Sequence, residues 1–455
     1  MFTMEDKPEK SCLLVDESGC KLYKRRWIML ANFGLFMTTN FFMWVQYAAI
    51  SDVVAEHYDV STNTVDLLNS TYSIAYIVFI VPVMLITERF GLRTIMIGGT
   101  SLQCVGSWFR FVGTSQNSLL LHFIGQSMCG AAHPCVYGMG SQVAGTWFGI
   151  EEVSFASALG FIGIEVGFGI GYILPKYFVQ GPDIGHQMKY YFLFTAIVMT
   201  ILMLITAFVF EGKPPLPPSK PRMNVKKAGK KDNYLQSIKF ILSNKNFLLL
   251  LVTFGTVTGF SSTLGLVLNE FLSLTYADGS TILSHVGIAK ILCGISGPLI
   301  SGIWLDRSKY FRVTTIVFSI LCAIVVLLFA ISLAYANQLL TTISMVMYVL
   351  CITSFFVVAA EHAVEQTYPE SEIMSSGILI TTSYVVALLL MFTIDVILSD
   401  QTVFFKACFC FLIHIISVIT SVCITGNNRR QDADNNNYQE ENNSSDIKLM
   451  ESTLD

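Results

Sequence analysis

Residues 88–93, Glu88-Arg89-Phe90-Gly91-Leu92-Arg93, form a short charged connection between two apolar stretches. A related run, Gly302-Ile303-Trp304-Leu305-Asp306-Arg307-Ser308-Lys309-Tyr310-Phe311-Arg312, connects two others, with Asp306 standing 218 residues after Glu88. A second pair keeps nearly the same offset: Phe148 and Glu152 precede one apolar stretch as Tyr368 and Glu372 precede another. Like connections at like places mean that the chain is built as two related halves.

Working outward from these connections, apolar stretches lie near 27–50, 65–87, 94–114, 119–146, 153–178, 189–211, 246–273, 281–305, 313–336, 338–362, 374–398 and 402–425. Each has about twenty residues or more, enough to cross ~30 Å of hydrocarbon at ~1.5 Å per residue. Composition agrees, since 53% of the 455 residues are hydrophobic and 13% are charged, about half the charged share of a soluble protein. A soluble fold is excluded. The sequence predicts an all-α membrane protein of twelve transmembrane helices in two six-helix pseudo-repeats.

Lys and Arg resist translocation and so mark the cytoplasmic side. With both termini and the even-to-odd connections on one side, that side holds every basic residue except five. Lys176 and Lys189 fall in outer connections, Lys290 is intramembrane, and Arg110 and Lys406 lie toward the outer ends of their helices. Both termini are expected in the cytoplasm. No cleavable signal is expected in the charged residues 1–26, since the apolar stretch after them is too long for a signal-peptide core. Residues 27–211 and 246–425 are the expected bundles. The linker 212–245 carries Pro214, Pro215, Pro217, Pro218 and Pro221 and then Lys226, Lys227, Lys230 and Lys231, a composition suited to anionic headgroups. The tail 426–455, rich in Asn and acidic residues, is expected to be disordered. Glu9 with Leu13 and Leu14 resembles an acidic dileucine sorting signal. It sets an endolysosomal membrane beside the plasma membrane, the first expectation. Cys12 and Cys20 lie in the tail and the other Cys fall in predicted helices, so no disulfide framework is legible.

The charged connections resemble the loop motif of the major facilitator superfamily, G-x-x-x-D-R/K-x-G-R/K, with Glu88 for Asp in the first copy and Lys309 for Gly in the second. A carboxylate at a helix end can pair with Arg across the cytoplasmic face and latch the halves until rocking breaks the bond. Glu88, Arg89, Arg93, Asp306, Arg307 and Arg312, with Glu152 and Glu372 from the second pair, are therefore candidate gating residues. The alternative for all of them is topology-setting charge. The superfamily implies a substrate site between the halves near the midplane.

Charge inside a bilayer costs a few kcal/mol or more and faces protein or water. Glu165 in helix five and Lys290 in helix eight both fall near the midplane. Gly163, Gly167 and Gly171, spaced by four, form a ridge for close backbone approach. Glu165 points away from it, since two residues turn a helix by about 200°. Either Glu165 and Lys290 neutralise each other as a buried pair, or the pair is functional and is broken by substrate or a proton. Trp44, within Asn40-Phe41-Phe42-Met43-Trp44-Val45-Gln46-Tyr47, is suited to hold an organic cation on its face or to anchor a helix at the membrane interface. His133-Pro134-Cys135 interrupts helix four. A kink or packing role is open to it, as is haem-iron ligation, for which no second ligand motif exists. Asn69-Ser70-Thr71 fits a glycosylation sequon but falls inside predicted helix two, so it is expected to be unmodified.

Tyr23-Lys24-Arg25-Arg26-Trp27, Trp44-Val45-Gln46-Tyr47, Gly91-Leu92-Arg93, Gly302-Ile303-Trp304-Leu305-Asp306 and above all Ala363-Val364-Glu365-Gln366-Thr367-Tyr368-Pro369-Glu370-Ser371-Glu372 resemble the feline leukaemia virus subgroup C receptor family, solute carrier family 49. The resemblance runs through all twelve predicted helices and fails in both tails. It implies facilitative movement of choline or ethanolamine, with haem export as the alternative, and an aromatic-lined central site to which Trp44 belongs. Three further site positions depart from the pattern. Glu165 stands for a Gln, Ser262 for a helix-seven Tyr and Tyr384 for a helix-eleven Gln, while Lys290 replaces an apolar residue. Substrate-binding candidates are thus Trp44, Glu165, Ser262, Tyr384 and Lys290, with Glu165 and Lys290 expected to pair.

No catalytic motif and no nucleotide-binding loop appear, so the expectation is a transporter and not an enzyme, facilitative or ion-coupled, with no cofactor and no metal. Its partners are expected to be a small-molecule substrate and the lipid bilayer, without nucleic acid, and the chain is expected to act as a monomer. A non-transporting receptor or sensor on the same scaffold is the competing class.

Overall fold

A computed structural model describes residues 21–425 apart from 116–117, 138, 150–151, 180–183, 217, 219–233, 277–278, 309, 368–369, 371 and 399–401. Glu9, Leu13 and Leu14, Cys12 and Cys20, the linker lysines Lys226 to Lys231, Tyr368 and the tail 426–455 lie outside the described residues, as do the side chains of Glu88, Asp306 and Glu372.

Apart from an isolated bridge residue at Lys21, the regular structure among the described residues is helical. In chain order the elements are α1 (Arg26–Val45), α2 (Ser51–Tyr58), α3 (Thr62–Phe90), α4 (Leu92–Ser115), α5 (Leu119–Ala132), α6 (Gly140–Trp147), α7 (Val153–Ile173), α8 (Pro175–Phe178) and α9 (Ile184–Val209). After the linker come α10 (Tyr234–Ser243), α11 (Lys245–Thr275), α12 (Gly279–Ser308), α13 (Phe311–Ala334), α14 (Gln338–Thr367), α15 (Glu372–Phe392) and α16 (Val403–Cys423). Counting Arg26–Tyr58 as one, ten described helices are long and apolar enough to cross a membrane. The stretches expected at 94–114 and 119–146 are not among them. In α4 the buried Thr100, Gln103, Ser107 and Arg110 dilute the apolar character. The other stretch is cut into α5, a tight turn at His133–Cys135 and α6, because Pro134 offers no N–H to continue the ladder.

Local chemistry sets the ends. Gly91 stands between α3 and α4 at φ 83°, a backbone region that side chains with a Cβ avoid, so the glycine of the opening stretch lets the chain stop one helix and begin the next within a residue. The Asn244 side chain caps α11 by accepting from the N–H groups of Asn246 and Phe247.

In the first set α1 packs on α7, α4 on α5 and α9, and α3 on α5; in the second α11 packs on α15 and α16, α13 on α14 and α16, and α12 on α14. Between the sets α7 packs on α12 and α3 on α15, and the turn at 48–50 meets α11. Each set is tied together in the same way at the end that holds residues 26 and 245. Arg25 pairs with Glu211 at 2.6 Å, and Asn246 donates to Thr425 Oγ1 at 2.8 Å. Arg93 donates to the Ala207 carbonyl at 3.3 Å, as Arg312 does to that of Val422 at 3.1 Å. Both carbonyls end the last helix of their set, where four C=O groups lack intrahelical partners and a cation is favoured.

Candidate substrate cavity between the helix sets

Helix α7 builds the site with two faces. Its Gly163, Gly167 and Gly171 lie on α1, and a Cβ on Gly167 would stand 2.4 Å from the Thr38 carbonyl oxygen. The opposite face meets α12. There Glu165 stands so close that a Cβ on Gly294 would lie 2.1 Å from its own Cβ. Lys290, one helical turn before Gly294, donates to Glu165 Oε2 at 3.0 Å. The expected pair is therefore present, joining the two helix sets. Truncating one member of a buried pair costs about 3–5 kcal/mol, because it leaves the other charge uncompensated.

Phe168, one turn beyond Glu165 on α7, places its ring 4.6 Å from Lys290 Nζ and is 5.4 Å from Trp44 and 5.3 Å from Phe41. Trp44, 2% exposed, is enclosed by these rings and by Tyr72, His133 and Tyr384. That enclosure places it in the interior and not at a membrane surface. Its indole N–H has no hydrogen-bond acceptor among the described residues. Trp44, Glu165, Ser262 and Lys290 line one cavity together with Phe41, Tyr137, Phe161, Phe168, Thr258, Ser261, Thr353 and Phe356, among others. Tyr384 is buried behind Trp44, ring centroids 5.6 Å apart.

His133 holds Tyr384 there. One ring nitrogen bonds Asn40 Oδ1, and the other lies 2.5 Å from the Tyr384 hydroxyl, while Asn40 in turn donates to Gln103 at 3.0 Å. The interrupted helix four thus carries a positioning residue behind the aromatic wall. Both ring nitrogens that an iron would need are engaged. Arg110, toward the end of α4 away from Leu92, is fully buried. Its guanidinium bonds Gln46 Oε1, Tyr47 Oη at 3.1 Å and the Met43 carbonyl at 3.4 Å. Phe168, Tyr137, Phe161 and Phe356 were not singled out from the sequence. Phe168 alone carried a signal, being three residues from Glu165 and hence on its face.

At the end away from residues 26 and 245 the sets meet closely. Asn269 Nδ2 is 3.4 Å from both Ser51 Oγ and Asp52 Oδ1, and Tyr172 donates to the Gly265 carbonyl at 2.7 Å. At the opposite end, the described gating candidates bind within their own sets: Glu152 pairs with Arg26 at 2.9 Å, and Arg93 and Arg312 bind the helix-end carbonyls given above. The Arg89 guanidinium lies over the Phe90 ring, and Arg307 is exposed.

The family model of the Major Facilitator Superfamily matches residues 28–391. The choline/ethanolamine transporter flvcr2a of Danio rerio is 32% identical over 378 residues, 82% of this chain and 80% of that protein. The choline/ethanolamine transporter FLVCR2 of Homo sapiens is 32% identical over 369 residues, 80% and 70% of the two chains. Among solved structures, the E. coli fucose:proton symporter FucP matches with a TM-score of 0.64 at 10% identity over 89% of this chain and 100% of that one. A D-xylose-proton symporter matches at 0.64 and 12% over 88% and 96%. At such identities these two speak for the fold alone. Sequence kinship, helix packing and the cavity between the sets agree that the chain belongs to the major facilitator superfamily and, within it, to the feline leukaemia virus subgroup C receptor family.

Proposed function

We propose that this protein moves small organic amines of the choline and ethanolamine kind across a membrane by alternating access. The observation that carries the proposal is the cavity between the helix sets, walled by the interior Trp44 and by Phe41 and Phe168 and lined by Glu165, Ser262 and Lys290. An aromatic face attracts an ammonium by about 0.5–2 kcal/mol, more when water is excluded. Further support comes from relatives named as choline/ethanolamine transporters at 32% identity. Trp44 and Phe168 receive the ammonium, Ser262 offers a hydroxyl, and Tyr384 backs Trp44.

In this proposal twelve helices span the bilayer in two bundles, 27–211 and 246–425, with both termini and the linker in the cytoplasm. The protein acts as a monomer, in the plasma membrane first and an endolysosomal membrane second. The contacts of Asn269 and Tyr172 close the outer side. When the halves rock, these contacts open and the charged connections, Glu88, Arg89, Arg93, Glu152, Asp306, Arg307, Arg312 and Glu372, exchange theirs. Haem export is less well supported, because both nitrogens of His133 are engaged by Asn40 and Tyr384.

The test is uptake of radiolabelled choline, ethanolamine and haem by proteoliposomes holding the purified chain. Saturable amine uptake is expected. Saturable binding of an amine without uptake makes the protein a sensor, and uptake of haem alone makes it a haem carrier; either contradicts the proposal.

A further inference from the structure

The cavity already holds a cation of its own. The Lys290 ammonium lies 4.6 Å from the Phe168 ring and 3.0 Å from Glu165 Oε2, and these two are the charged residues among those lining the cavity. The carboxylate and one of the aromatic faces that would receive a substrate ammonium are thus engaged by a tethered one. A solute with positive charge alone must either strip Lys290 of its counter-ion in a site shielded from water or sit beside it against repulsion. A solute that also carries an anion avoids both costs. Its ammonium takes Glu165 and Phe168 while its anionic group takes Lys290, so that one ion pair becomes two and the site stays neutral.

We propose that the substrate is a small zwitterion, an ammonium joined to a carboxylate by a short linker, with its ammonium on Glu165 and Phe168 and its carboxylate on Lys290. This rests on the proposed transport of small amines and narrows it. Because Glu165 belongs to α7 and Lys290 to α12, the exchange also removes a bond between the helix sets. Occupancy is thereby linked to rocking.

Glycine betaine and choline share a trimethylammonium group and differ in ending on a carboxylate or a hydroxymethyl group. Their uptake, each radiolabelled, by proteoliposomes holding the full chain separates the charge requirement from the ammonium requirement. The expected kcat/KM for betaine exceeds that for choline by about tenfold or more, the factor of one hydrogen bond to a charged group. Lys290→Arg keeps the preference, and Lys290→Leu removes it. The wild-type comparison stands even where Lys290→Leu does not fold. Choline carried as well as betaine by the wild type overturns the zwitterion proposal and leaves the small-amine reading intact, whereas uptake of neither, with ethanolamine refused as well, overturns both. A betaine preference that survives Lys290→Leu overturns the role given to Lys290.

Discussion

Glu165 and Lys290 illustrate how two residues can be costly apart and inexpensive together. Each alone would be an uncompensated charge in the interior, so Glu165→Gln and Lys290→Leu are each expected to lower the thermal unfolding midpoint of the purified protein, at a cost of about 3–5 kcal/mol. The double variant leaves neither charge unpaired and is expected to recover most of that loss. A double variant no better tolerated than the singles would mean that the 3.0 Å contact contributes nothing. Trp44→Ala removes the ring over which an ammonium is proposed to sit and is expected to raise the KM for the transported amine by about 5- to 30-fold, with Trp44→Phe between the two. An unchanged KM would remove Trp44 from the site. Trp44, Glu165 and Lys290 were legible in the sequence because midplane charge is rare and one Trp stood out in helix one. Phe168 and Phe356 were not, because a Phe in a membrane helix has nothing to distinguish it from packing. Nor was the task of His133, whose partners Asn40 and Tyr384 lie 93 and 251 residues away.

Helix α7 works because small residues stand wherever another backbone must come close. Gly294 on α12 is the tightest such place for the ion pair, with 2.1 Å left between a would-be Cβ and that of Glu165. Gly294→Ala is therefore expected to cost about 1–3 kcal/mol through overpacking and to reduce uptake. Gly98→Ala, where nothing lies within 4 Å of a would-be Cβ, is the neutral control. Equal stability and uptake in the two variants would contradict the packing described for α7 and α12. The two faces of α7 follow from helical arithmetic on Gly163, Glu165, Gly167 and Gly171, and the break at His133 follows from Pro134. The turn at 48–50, which brings Ser51 and Asp52 against Asn269, carries no comparable mark. The run from Trp44 to Ser51 has neither Gly nor Pro to show where α1 ends.

Over the whole molecule the repeat seen first in the charged connections recurs in the contacts those connections make. Arg93 and Arg312, 219 residues apart, hold the last helix of their sets through Ala207 and Val422. What the connections could not reveal is the state of the cavity, because which end closes depends on contacts between the sets and not on the residues of either set alone. The proposed sidedness predicts that epitope tags on both termini are reached by antibody only after the cells are permeabilised, and labelling of either tag on intact cells would contradict it. Alternating access makes a stricter demand, that the contacts joining Asp52 to Asn269 open in every cycle. The measurement is amine uptake by proteoliposomes holding the Asp52→Cys/Asn269→Cys variant, before and after a short thiol-reactive cross-linker, with each single Cys variant as control for the native thiols. Cross-linking of the double variant is expected to stop uptake while the single variants continue. Undiminished uptake through a fully cross-linked protein would contradict the account.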